Sequence, residues 1–189
     1  AGFNSTFRRH VSSHSESFRM YSAAAICCIT FLAVFIGYIN TYRPVVTTVD
    51  IDIQGKSTRL ERLNIALVTD IHLGTIVSNS KLTRMVEMVN ALQPDIVLLA
   101  GDIVDEDIAP AIKNNHGDIL RTIRSRLGVF AVTGNHEFYG GVDDAERYLT
   151  EHEIVLLRDR AILLDNAFYL AGRDDRAILQ ILGARRAPL

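Results

Sequence analysis

"DIVLLAGD", residues 95–102, sets the fold class. Its apolar positions run from Ile96 to Ala100 without the polar alternation of a strand that has one wet face. Both faces of such a strand are expected to be buried, the signature of a parallel sheet. Two runs of the same kind flank it, "NIALVTD" at 64–70 and "GVFAVTGN" at 128–135. Between the first two, Leu82, Met85, Val86, Val89 and Leu92 recur at helical spacing. Hydroxyl and amide cap candidates stand at Ser78 to Ser80, and Pro94 follows the end, so a helix is predicted from Ser78 to Leu92. A second, less regular helix is predicted over residues 119–127. Downstream, "VDDAERYLTEH" at 142–152 predicts another helix, and "IVLL", "AILL" and "FYLAG" predict short strands at 154–157, 161–164 and 168–172. Strands alternating with helices give an α/β core, a parallel sheet covered by helices.

Polar chemistry begins where each long strand ends: Asp70 and His72 in "TDIHLG", Asp102 in "AGDIVDED", Asn135 and His136 in "TGNHE". Asp70 and Asp102 are 32 residues apart, and Asn135 follows Asp102 by 33. One strand, crossover helix and next parallel strand occupy about 30 residues or more, so these side chains recur once per unit and would line one rim. Each alone has a bland reading. Either aspartate caps a following helix, Asn135 serves a turn, and a single histidine such as His72 is more often structural than a ligand. Taken together they supply hard oxygens and imidazole nitrogen, the ligand set of manganese, iron, zinc or magnesium. Two such cations can clamp the attacking and leaving oxygens of a phosphoryl displacement and make a bridging water acidic enough to provide hydroxide near neutral pH. Gly74, Gly101 and Gly134 beside these positions would let backbone approach closely.

At the other end of the chain, Met20 to Tyr42 carries no charged side chain and shows no polar stripe. A helix of that length spans roughly the 30 Å apolar core of a bilayer, which predicts a transmembrane helix over a buried core helix or a cleaved signal. Arg8, Arg9 and Arg19 precede it, with only Glu16 against them, while Arg43 and then Asp50 and Asp52 follow, which predicts a cytoplasmic N-terminal flank with the remainder outside. Tyr38 and Tyr42 suit the interface, and Pro44 stops the helix. The alternation of "VVTTVDIDI" at 45–53 predicts an edge strand, and "QGKSTRLER" at 54–62 a polar turn. The near balance of 20 basic and 22 acidic side chains gives no electrostatic case for nucleic acid as a partner. Cys27 and Cys28 are adjacent within the apolar run and make neither a disulfide framework nor a thiolate metal site.

"D-I-H" at 70–72, "G-D-I-V-D" at 101–105 and "G-N-H-E" at 134–137 resemble, in order and spacing, signature blocks of the calcineurin-like metallophosphoesterases. The wording "NALQPDIVLLAGDIVDED" and the lead-in "GYINTYRP" is similar to the membrane-associated bacterial branch of that superfamily, over about Gly37 to Asp175. The resemblance implies a layered calcineurin-like fold, truncated here, preceded by the transmembrane helix. The domains would be an N-terminal flank at 1–19, the span at 20–42, a strand and linker at 43–60, and the metallophosphoesterase domain at 61–189. It implies two divalent metal ions, the first on Asp70 and His72, Asp102 bridging both, and Asn135 on the second. His136 would act on the phosphate or leaving group, oriented by the carboxylate of Asp105. Glu137 receives no role beyond capping the following helix.

The family's later histidine blocks find no match, and His10, His14, His116 and His152 lie away from the strand ends. The chain is therefore read as an incomplete fragment, poorly stable and inactive by itself. The parent would be a membrane-anchored phosphoesterase acting on a phosphomonoester, a phosphodiester or the pyrophosphate link of a nucleotide-lipid; tethering slightly favours a lipid-linked substrate. The competing reading is a catalytically inactive binding or scaffold module at the membrane.

Overall fold

A computed structural model describes residues 3–41, 43–53 and 61–189, in two compact units, 1–49 and 50–189. The first unit is dominated by one helix, α1 (Phe3–Asn40). Within it Glu16–Asn40, 25 residues with a mean hydropathy of 2.3 in its most apolar window, is long and apolar enough to cross a membrane. The helix runs further toward the N-terminus than the expected span. It closes where the Thr41 hydroxyl donates to the Tyr38 carbonyl at 2.8 Å, while Tyr42 lies outside the described residues. Phe31, Leu32, Val34 and Phe35 are all exposed, a surface that water does not favour.

The edge strand expected over residues 45–53 is not formed. Val45, Val49, Ile51 and Ile53 are exposed in irregular backbone. Alternation supplies a face, but a strand needs a second backbone to pair with. Of the expected turn at 54–62, residues 54–60 lie outside the described residues.

The second unit runs β1 (Ile65–Val68), α2 (Asn79–Ala91), β2 (Ile96–Ala100), α3 (Ala109–Lys113), α4 (His116–Leu120), β3 (Val129–Val132), α5 (Asn135–Gly140), α6 (Val142–Glu151), β4 (Ile154–Leu156), β5 (Arg160–Leu164), β6 (Phe168–Gly172) and α7 (Ala177–Ile181). The first four strands form a parallel sheet in the order β1-β2-β3-β4, with Leu67 beside Leu98 and Leu98 beside Phe130. Ser78 caps α2 as expected, its side chain accepting the Lys81 amide.

The helix expected over 119–127 is replaced by two short ones upstream. Asn115, with φ 55°, interrupts the path between α3 and α4. Beyond Leu120 the backbone is held by a neighbour instead: the Asn90 amide donates to the Thr122 carbonyl at 2.9 Å and accepts the Arg124 amide at 2.7 Å. Tertiary hydrogen bonds override a weak local helical pattern.

The continuous apolar run of β2 is explained by two cores. Val97 and Leu99 face the helices, packed with Leu82, Val86 and Val89 of α2, Leu120 of α4 and Leu149 of α6. Ile96 and Leu98 face the other way, with Phe130, Leu157 and the inner side of the antiparallel hairpin β5-β6, Ile162, Leu164 and Leu170. The sheet was expected to be covered by helices; one face is, and the second is covered by strands. The sequential strand order accounts for this, because α2, α3, α4 and α6 contribute to one core and leave the far face to the hairpin that the chain forms after β4.

At the amino ends of the strands Asp95 ties three segments together. It accepts the Asn64 amide at 2.9 Å and the Arg126 Nε at 2.8 Å, and these bonds hold its carboxyl below the usual carboxylate range. The opposite ends carry the chemistry.

Candidate metal centre

The loops that leave β1 and β2 are zipped backbone to backbone. Asp70 donates its amide to the Gly101 carbonyl, His72 to Asp102 and Leu73 to Ile103, and Asp105 donates back to Leu73, all at 2.8–3.2 Å. This extends the pairing of the two strands beyond the sheet and brings Asp70, His72 and Asp102 to one rim.

Asp70, His72 and Asp102 have φ angles of 55°, 50° and 49°. Left-handed backbone costs a non-glycine residue about 1–3 kcal/mol when the surroundings impose it, and such residues gather at functional sites. Aspartate and histidine tolerate it better than branched side chains. Gly101 lies in the same region, at φ 90°, where a Cβ would also sit 2.8 Å from the Gly134 nitrogen.

The loop after β3 reaches this rim through side chains. The Asp102 carboxylate accepts the His136 amide at 3.0 Å, near the start of α5. Asp102 thus caps a helix, though one that begins 33 residues later. Gly134 is required by the same approach, since any Cβ there would run into Asp102. The glycines beside the candidate ligands therefore serve loop-to-loop contact, in addition to any approach of a ligand.

Ligand-capable atoms of His72, Asp102 and His136 all lie within 4.8 Å of one another, and each side chain is half-buried. The His72 and His136 rings meet edge to face, 4.5 Å between centroids. The Asp70 carboxylate is 3.8 Å from His72 Nε2 and more exposed, with the Thr69 hydroxyl donating to it at 2.7 Å. Asn135 opens α5 immediately before His136. His136 Nδ1 stands 3.0 Å from Asp105 Oδ1, which directs the ring's other nitrogen away from that carboxylate. Gly74 makes room for Asp105, since a Cβ at Gly74 would stand 3.0 Å from the aspartate's own Cβ.

This oxygen-and-imidazole donor set, without thiolates, suits manganese, iron, zinc or magnesium, so the residues fit a divalent metal centre. His116 and His152 take no part. His116 is fully buried in α4, and His152 closes α6 with Nδ1 2.7 Å from the Tyr148 carbonyl oxygen.

Glu137 is the residue whose place the sequence left open. It is buried, and it accepts amides from Asp102, Ile103, Val104 and Gly134. The bond to Gly134, three residues back, is the local capping contact that a glutamate at this helical position signals. The other three donors lie more than thirty residues upstream, beyond any local signal.

A family model for calcineurin-like phosphoesterases matches residues 63–186. A bovine protein named transmembrane protein with metallophosphoesterase domain is 38% identical over 125 residues, which is 62% of this chain and 26% of that protein. A metallophosphoesterase of Aquifex aeolicus is 30% identical over 152 residues, 77% of this chain and 56% of its own length. A UDP-2,3-diacylglucosamine pyrophosphatase of Chlamydia muridarum is 27% identical over 92 residues, 49% of this chain and 28% of that enzyme. The chain spans about a quarter of the length of the bovine relative.

Proposed function

Because the chain belongs to the calcineurin-like phosphoesterase family, we propose that it carries metal-binding and catalytic residues of a membrane-anchored hydrolase of phosphoric ester or pyrophosphate bonds. The observation that carries this reading is the convergence of Asp70, His72 and Asp102 with His136 at the carboxyl ends of three adjacent parallel strands. In this assignment Asp70, His72 and Asp102 hold one divalent cation, and Asp102 and Asn135 hold a second. Bound there, two cations would supply Lewis acidity toward the phosphate oxygens and an acidified water as the nucleophile.

The chain's own residues do the rest. His136, held by Asp105, presents its free ring nitrogen to the phosphate or leaving group, where it can stabilise negative charge or deliver a proton. The Asp105 carboxylate fixes the ring orientation and supports the imidazolium. Asp102 keeps one oxygen on the His136 amide, which aims its carboxylate at the rim.

The substrate class is argued from placement. An apolar helix precedes the domain, and one relative carries the name of a nucleotide-lipid pyrophosphatase; both favour a lipid-linked phosphate. Arg8, Arg9 and Arg19 ahead of the apolar segment favour a cytoplasmic N-terminal flank, and with it a site on the outer side. The test is hydrolysis by the full-length protein, with added manganese, of an aryl phosphate monoester, an aryl diester and a nucleotide-lipid diphosphate. Metal-dependent turnover of one class, lost in Asp102→Asn, is expected. No turnover of any class in metal-loaded protein would defeat the reading.

A further inference from the structure

The two loop junctions at this rim are built differently. Between the loops after β1 and β2, backbone amides and carbonyls pair directly, and no side chain is needed. Between the loop after β2 and the start of α5, the connection runs through carboxylates. Asp102 accepts the His136 amide, Asp105 meets the His136 ring, and Glu137, which is 1% exposed, accepts amides from both sides. Glu137 Oε1 accepts Ile103 at 2.6 Å and Val104 at 2.9 Å, while Oε2 accepts Asp102 at 3.1 Å and Gly134 at 2.7 Å. Both oxygens are used as acceptors, and the four amides belong to the candidate ligand Asp102, the two residues after it, and Gly134, which precedes Asn135.

We propose that Glu137 is a positioning residue that sets the separation of Asp102 from Asn135, and so governs retention of the second cation but not the first. This rests on the dinuclear reading above. The backbone zipper holds Asp70, His72 and Asp102 together without Glu137, although the Asp102 amide also bonds it, so the first cation's residues are expected to stay assembled when Glu137 is changed. The second cation's residues sit on opposite sides of the junction that Glu137 closes. An amide in place of this carboxylate has one accepting atom where two are required, and its NH2 group would face two N–H donors. The two loops would then separate.

The test uses the full-length protein in detergent, titrated with Mn2+. Bound manganese is counted by equilibrium dialysis, and low-temperature electron paramagnetic resonance separates isolated from exchange-coupled ions. Wild-type protein is expected to hold two ions with a coupled signal. Glu137→Gln is expected to keep the first within about twofold and to weaken the second about 10–100-fold, the usual effect of removing a residue that supports a ligand. The coupled signal would be replaced by that of an isolated ion. Both ions held at wild-type affinity would overturn the inference and leave the dinuclear reading intact, and equal weakening of both would also overturn it. A wild-type protein that never shows a coupled pair would sink the dinuclear reading itself.

If Glu137→Gln does not fold, Glu137→Asp decides. It keeps both acceptor atoms but is one methylene too short to span the junction, so the same selective loss is expected, and wild-type affinity at both sites would refute the proposal. Amide exchange in the wild type needs no variant. The amides of residues 102–104 and 134 should slow together on adding Mn2+; protection of one loop without the other would contradict the coupling.

Discussion

His136 Nδ1 and Asp105 Oδ1 are 3.0 Å apart, joining the start of α5 to the loop after β2. An imidazole oriented in this way has one nitrogen committed and one free, the arrangement a general acid or a phosphate-binding cation requires. Replacing His136 with alanine is expected to lower turnover by about 10²–10⁴, the usual contribution of a positioned acid or base. Asp105→Asn should give a smaller loss, with bound metal unchanged. Parallel measurement of aryl phosphate hydrolysis and metal content checks this; loss of metal in either variant would reassign the residue as a ligand.

Gly134 admits no side chain. A Cβ there would stand 2.5 Å from the Asp102 backbone nitrogen, and neither loop can retreat without breaking the Glu137 bonds. Gly134→Ala is expected to destabilise the domain by about 1–3 kcal/mol, as overpacking does, and to reduce metal binding. Thermal unfolding with and without Mn2+ reads both effects.

His116 is fully buried, neither ring nitrogen has a hydrogen-bond partner, and burial pushes its pKa down. The unfolded chain takes up this proton near pH 6.5, before the folded one does. Stability from the neutral ring is therefore present above about pH 6.5 and is lost as pH falls, with a slope of at most about 1.4 kcal/mol per pH unit for one proton. Denaturant unfolding of the metal-free protein between pH 7.5 and 5.5 should show this slope, and His116→Phe should flatten it. An unchanged slope in the variant would assign the effect elsewhere.

Asp95 has the opposite sign of charge and a different window. Its carboxyl is held low by the Asn64 amide and by Arg126. Its stabilisation is thus present above the unfolded value of about 3.9 and lost as pH falls through the lower native value. Asp95→Asn should be less stable than wild type at pH 7, with the difference closing below about pH 4. Because Asp95 joins the amino ends of the strands, metal affinity should not change.

The strands of the parallel sheet, the first crossover helix, the apolar N-terminal helix and the order of ligand types along the chain are all legible in the amino-acid sequence. These depend on periodicity and on short-range caps, which the chain carries wherever it folds. Asp70, His72 and Asp102 could be picked out because polar residues at successive strand ends of a parallel sheet must share a rim. Other features exist only once the chain is packed. Residues 45–53 alternate as a strand should, yet pairing requires a partner backbone that no alternation specifies. Residues 121–127 follow Asn90 instead of their own weak helical pattern. A hairpin covers the second face of the sheet because the sequential strand order leaves it open. Glu137 reads locally as a cap, and only the folded chain brings the amides of residues 102–104 to it, since contacts across more than thirty residues are set by how units stack and not by the residues between them.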